Sequence, residues 1–101
     1  MSPLYLVATI HPRPDRVNDA RAALHTLIAA SLAEEGCEMY DLVEDVQTPG
    51  TWLMLEKWTS RAQWDTHMLT AHNAAFGAVA NDLVSEPITL VFYDPVSSPT
   101  R

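Results

Sequence analysis

The chain of 101 residues has the length of a single domain, and 48% of its residues are apolar. Six basic residues against 13 acidic ones give a formal net charge of −7, without the basic footprint that nucleic acid or an anionic membrane surface requires. The single cysteine, Cys37, excludes an intrachain disulfide and any multi-cysteine metal site.

In chain order, Leu4–Ile10 is a short apolar run of β-favouring residues, stopped by His11-Pro12-Arg13-Pro14 because proline cannot donate to a strand ladder. Asp15 is placed to cap a helix, with Asp19 in its first turn. Val17, Ala20, Leu24, Leu27, Ile28 and Leu32 recur at intervals of mostly three or four and predict an amphipathic helix of about five turns. Gly36 is expected to end it as a left-handed residue. Cys37–Val46 and Thr51–Trp58 read as strands, joined through Thr48-Pro49-Gly50 as an antiparallel hairpin. Ser60 with Gln63 fits a capping box that opens a second helical region, expected to bend near Thr70 and to continue over Ala71–Leu83. Glu86-Pro87 punctuates, and Ile88–Tyr93 is the last strand. One domain over residues 1–94 and a loose Ser/Pro-rich tail over 95–101 are expected.

The order β-α-β-β-α-β is that of an α+β, ferredoxin-like fold: a four-stranded antiparallel sheet with its helices on one face. Successive strand residues point to opposite faces, and both sets are apolar here. Leu4, Leu6, Ala8 and Ile10 oppose Tyr5 and Val7, Trp52 and Met54 oppose Leu53 and Leu55, and Leu90 and Phe92 oppose Val91 and Tyr93. Helices can cover only one face. A homodimer, two sheets packed face to face, is expected to cover the other. No stretch reaches the roughly 20 apolar residues of a membrane span. The start of the chain lacks the features of a signal peptide, so a cytoplasmic chain without a membrane partner is expected.

His67 and His72 are the sharpest chemical candidates. They stand about 140° apart on a continuous helix, and a bend at Thr70 would bring them toward one pocket. The alternative for each is a packed or solvated side chain. They lack the i, i+4 spacing of a helical zinc pair, and no carboxylate or thiol cluster in the sequence completes a ligand set, so no metal is expected. Trp64, Phe76, Tyr40 and Trp52 are candidates to line a pocket for a planar aromatic ligand, whereas Trp58 reads as core. Glu34-Glu35 and Glu44-Asp45 read as solvated faces, and Cys37 as a packed thiol. With only 3 glycines and no Gly-rich phosphate loop, no nucleotide cofactor is expected.

Glu35-Gly36-Cys37, Tyr40-Asp41-Leu42, Pro49-Gly50-Thr51 and Glu56-Lys57-Trp58, followed by His67, His72 and Phe76, resemble the antibiotic biosynthesis monooxygenase (ABM) family of dimeric α+β barrels. Trp58, His67 and His72 follow the family spacing of nine and then five residues, and the likeness runs from about Leu4 to Asp94. The first strand has no Asn, and His67 stands where the haem-degrading branch has a Trp, so the resemblance does not point to haem degradation. Asn73 also departs from the aromatic usual in many members. The resemblance implies oxygenation of a small aromatic quinol or phenol by O2 without metal, flavin or other cofactor, with His67 as base and His72 supporting it. A non-catalytic small-ligand-binding or stress-associated protein on the same barrel is the alternative.

Overall fold

The structure is a computed structural model that describes residues 2–97; of the tail expected over 95–101, residues 98–101 lie outside the described residues. Four strands and three helices follow in the order β1 (Leu4–Ile10), α1 (Val17–Leu32), β2 (Cys37–Glu44), β3 (Trp52–Trp58), α2 (Arg61–His67), α3 (Ala71–Leu83) and β4 (Thr89–Tyr93). The strands form one antiparallel sheet in the order β2-β3-β1-β4. The two strands richest in apolar residues on both faces, β1 and β3, are therefore central. This is the expected ferredoxin-like arrangement, with the second helical region resolved into two helices.

The period-two pattern decides which side chains meet the helices. In β1, Leu4, Leu6, Ala8 and Ile10 are buried, and in β3 Trp52, Met54, Glu56 and Trp58 are. They pack against Ala20, Leu24 and Leu27 of α1, Trp64 of α2 and Leu83 at the end of α3. Each fully buried leucine in this layer contributes on the order of 1.5–3 kcal/mol relative to exposure. On the other face, Val7 stands between Leu55 on β3 and Val91 on β4, and Tyr5 pairs with Tyr93. No element among the described residues covers that face, and every residue of β4 is exposed.

Two local expectations, the caps at Asp15 and Gly36, are corrected, and the break expected near Thr70 is found. Asp15 does not cap α1: the helix begins after Arg16 without a side-chain cap, and the Asp15 carboxylate pairs with Arg13 at 3.1 Å instead. Gly36 is not the residue that closes α1. The helix ends at Leu32, and Gly36, at φ +90°, turns the chain into β2 three residues beyond the C-cap Ala33. Close packing also restricts Gly36, because a Cβ there would meet Gln63 Cγ at 2.6 Å. The second helical region divides at Met68–Thr70. Ser60 Oγ accepts from Gln63 N at the start of α2, and Thr70 Oγ1 accepts from Asn73 N at the start of α3, so each helix carries its own cap.

Candidate active site

A cavity of about 230 Å³ lies between the inner face of the sheet and the three helices. Most of its wall is apolar: Leu6, Ala8 and Ile10 from β1, Met54 from β3, Leu24 and Leu27 from α1, and Phe76 from α3. Polar groups join the lining at Tyr40, Glu56, His67 and Asn73. An apolar chamber with a few polar groups is the usual composition of a small-molecule site.

His67 is the last residue of α2 and is 2% exposed. Its ring lies 4.7 Å from the Trp58 ring and 5.6 Å from the Tyr40 ring, centroid to centroid, so aromatic contacts fix its plane. Its Nδ1 lies 2.6 Å from Glu34 Oε2, just beyond α1. The same oxygen lies 2.6 Å from Nε2 of His72, which α3 brings to the site after the break at Thr70. A carboxylate only accepts, so each imidazole directs an N–H at Glu34. His67 is thereby held in the tautomer whose Nε2 carries the lone pair. Among the described residues, Ser31 Oγ is the one fully buried side-chain polar atom without a partner. His67 Nε2 has no protein partner among the described residues and is not one of the sealed atoms, and His67 is one of the residues that line the cavity.

Glu34 is the residue that sequence reading missed. It was expected to be solvated with Glu35, but its side chain is only 13% exposed and joins both histidines. The expectation that no carboxylate would complete a metal-ligand set is corrected for the same reason. Glu34, His67 and His72 offer three ligand atoms within 4.8 Å of one another. As placed, both nitrogens stand at hydrogen-bond distance from one oxygen, 2.6 Å, closer than the roughly 3.3 Å between ligand atoms of a tetrahedral site with bonds of about 2 Å. The trio is accordingly a hydrogen-bonded triad.

The other candidates divide. Trp64, Phe76 and Tyr40 line the cavity, and Trp52 does not. Trp52 lies on the inner face at the far end of β3, under the Arg21 guanidinium at 5.3 Å and outside the lining of this cavity. Trp64 meets Phe92 edge to face at 5.1 Å, with Arg61 stacked 5.0 Å from each ring. Burial first, and then the neighbouring Glu56, hold the Tyr40 phenol above its ordinary range and keep it protonated. Burial, with Glu56 and Glu34 nearby, raises the Cys37 thiol to about 11, which leaves it an inert packed group.

The comparisons with known proteins agree with this architecture. The family model described as "Antibiotic biosynthesis monooxygenase" matches residues 3–79. The chain belongs to the ABM family. Among ABM-type relatives, "Putative monooxygenase Rv0793" of Mycobacterium tuberculosis is 32% identical over 95 residues, covering 94% of this chain and 93% of that protein. "Putative monooxygenase YcnE" of Bacillus subtilis is 36% identical over 88 residues, covering 87% of this chain and 93% of that one. The solved structure of Rv0793 superposes with a TM-score of 0.91 at 30% identity, over 98% of this chain and 100% of that one. The structure of PA3566 from Pseudomonas aeruginosa gives 0.87 at 29% identity, over 96% and 97% of the two chains. ABM membership and the names of these relatives support a monooxygenase-type function. No helix among the described residues is long and apolar enough to cross a membrane.

Proposed function

We propose that the chain is a cofactor-independent monooxygenase that oxidises a small aromatic quinol or phenol with O2, and that it works as a homodimer. The observation that carries the reading is the buried Glu34–His67 hydrogen bond, which leaves His67 Nε2 as a base on the wall of an apolar cavity. A phenolic hydroxyl at that nitrogen gives up its proton, and the electron-rich anion is the species that reduces O2. Glu34 stabilises the imidazolium that forms, as a carboxylate behind a histidine does in other base mechanisms. His72 holds Glu34 from the other side and so acts as a positioning residue. The overall change balances with O2 as the only oxidant: a ring C–H becomes C=O, the phenolic O–H becomes a second C=O, and the other oxygen atom leaves as water. Trp64, Phe76 and Tyr40 supply aromatic wall for the ring. The apolar outer face of the sheet supports the dimer.

Oxygen uptake tests the reading. Metal-stripped protein is mixed with a panel of reduced naphthoquinones and naphthols, and O2 consumption and products are followed. Wild type is expected to exceed the autoxidation background, and His67→Ala to lose about a hundredfold or more, the usual worth of a general base. Glu34→Gln is expected to fall between them. Uptake at the background level across the panel refutes the oxygenase reading. Equal rates for wild type and His67→Ala remove His67 from the mechanism.

A further inference from the structure

Glu56 has no part in the base chemistry above, yet it is the one buried carboxyl group among the described residues, at 5% exposure. It sits on the inner face of β3, opposite Tyr40 of β2, and lines the cavity. Trp58 Nε1–H donates to its Oε1 at 3.0 Å. Its Oε2 has no protein partner and is not among the sealed, unpartnered atoms, so it opens on the cavity. Among the described residues no cation is paired with it. His67 and His72 direct their N–H groups at Glu34, and Lys57, next in sequence, lies against Tyr5 on the opposite face. The remaining titratable neighbours are Glu34, Tyr40 and Cys37, none of which favours a charged Glu56.

We infer that Glu56 is a second ligand-contacting group of the cavity, donating its carboxylic acid O–H to an uncharged oxygen of the aromatic ligand. A ring with two oxygens is then the substrate class that fits: an ionisable hydroxyl at His67 and a neutral carbonyl-type or hydroxyl oxygen at Glu56. A ring bearing a carboxylate is disfavoured, because the mostly apolar wall does not solvate the charge and the nearby Glu34 repels it. Burial first, and then the charge of Glu34, raise the Glu56 carboxyl to about 7, so the donor form exists at and below neutrality. The inference rests on the proposed function only in placing an aromatic ring in the cavity; it does not require oxygen chemistry.

The test uses two bicyclic probes that neither titrate nor undergo redox chemistry: 1-tetralone, which carries one carbonyl, and tetralin, which carries none. Binding is followed by quenching of tryptophan fluorescence at pH 5.5 and 8.5. Wild type is expected to bind tetralone about tenfold more tightly than tetralin at pH 5.5, the worth of one good hydrogen bond. That advantage is expected to fall below about threefold at pH 8.5, as the acid ionises. Glu56→Gln, whose amide N–H also donates, keeps the advantage at both pH values, and Glu56→Leu loses it at both. Equal binding of the two probes by wild type at pH 5.5 overturns the inference. So does a Glu56→Gln variant that retains the wild-type pH dependence, which would then belong to another group, and so does the failure of tetralone to bind. Tetralone discrimination without oxygen uptake would leave Glu56 in place and remove the oxygenase reading; uptake without discrimination would do the reverse.

Discussion

Glu56 lies buried on the cavity wall and Glu34 stands behind His67, and their partners set the roles of these two carboxyl groups apart. Glu34 receives two imidazole N–H groups through one oxygen, whereas Glu56 has a single indole N–H and a like-charged neighbour. The difference has a consequence for folding. The Glu56 carboxyl ionises near its ordinary value of 4.5 in the unfolded chain, and burial pushes it up to about 7 in the folded one. Between those values the folded state holds the extra proton, so stability is greatest below about pH 4.5 and declines as pH rises to about 7. The slope of this one group is about 1.4 kcal/mol per pH unit at most, and the total is a few kcal/mol. Glu56→Gln removes the term and keeps the Trp58 hydrogen bond. Urea unfolding of both proteins from pH 5 to pH 8 is expected to show the variant gaining stability relative to wild type as pH rises. A constant difference between the two across that range would mean that Glu56 is not held protonated. At this scale the sequence was half legible. His67 and His72 stand out by spacing around a helix break. Glu34 does not, because Glu34 and Glu35 look alike at a helix end until the turn at Gly36 selects which of them points inward.

At the scale of elements, the strands lay within one or two residues of their sequence limits, since Pro12, Pro49-Gly50 and Glu86-Pro87 bound runs of apolar residues. Helix ends were harder to read, because a cap depends on where the chain enters and leaves. Asp15 and Gly36 carry the right chemistry in the wrong register, whereas Ser60 and Thr70 serve as caps. The break between α2 and α3 matters for the site, because it lets His67 and His72 meet one carboxylate oxygen. Thr70 secures that break twice: its Oγ1 accepts from Asn73 N at 3.3 Å and donates to the His67 carbonyl at 2.8 Å. Thr70→Ala is therefore expected to cost about 1–2 kcal/mol in urea unfolding, the upper part of the range for a lost cap. A paired control makes the reading specific to position. Gly77 lies within α3 with open space at its Cβ, so Gly77→Ala is expected to stabilise by about 0.5–1 kcal/mol. Gly36→Ala combines a left-handed φ of +90° with the clash at Gln63, and is expected to destabilise by more than about 1 kcal/mol. If all three substitutions shifted stability alike, neither cap nor backbone would be the cause.

At the scale of the whole molecule, the alternation in β1 and β3 was the most legible feature of the sequence, and the structure gives it a geometry. One face of the sheet is sealed by helices. The other presents Tyr5, Val7, Leu53 and Leu55 half-buried, beside Val91 and Tyr93 at 48% and 49% exposure. An isolated soluble domain seldom leaves so continuous an apolar face in water. In the proposed homodimer a second copy of the chain would cover it with the same residues, as a two-fold interface requires. Such a pairing would also bear on the cavity, whose floor is the sheet itself: Leu6, Ala8 and Met54 line it from strands whose reverse face the partner would hold. The central cross-strand pair Val7 and Leu55 is where a charge does most damage to that packing and least to the helix-covered core. Leu55→Glu is therefore expected to convert a dimer into a monomer in sedimentation velocity at micromolar concentration. Thr26→Glu, on the exposed side of α1, is expected to leave the dimer intact. Far-ultraviolet circular dichroism on the same samples separates dissociation from unfolding. A wild-type chain that sediments as a monomer, or a Leu55→Glu variant that remains a dimer, would place the apolar face against something other than its own copy. The site would then have to be complete within a single chain.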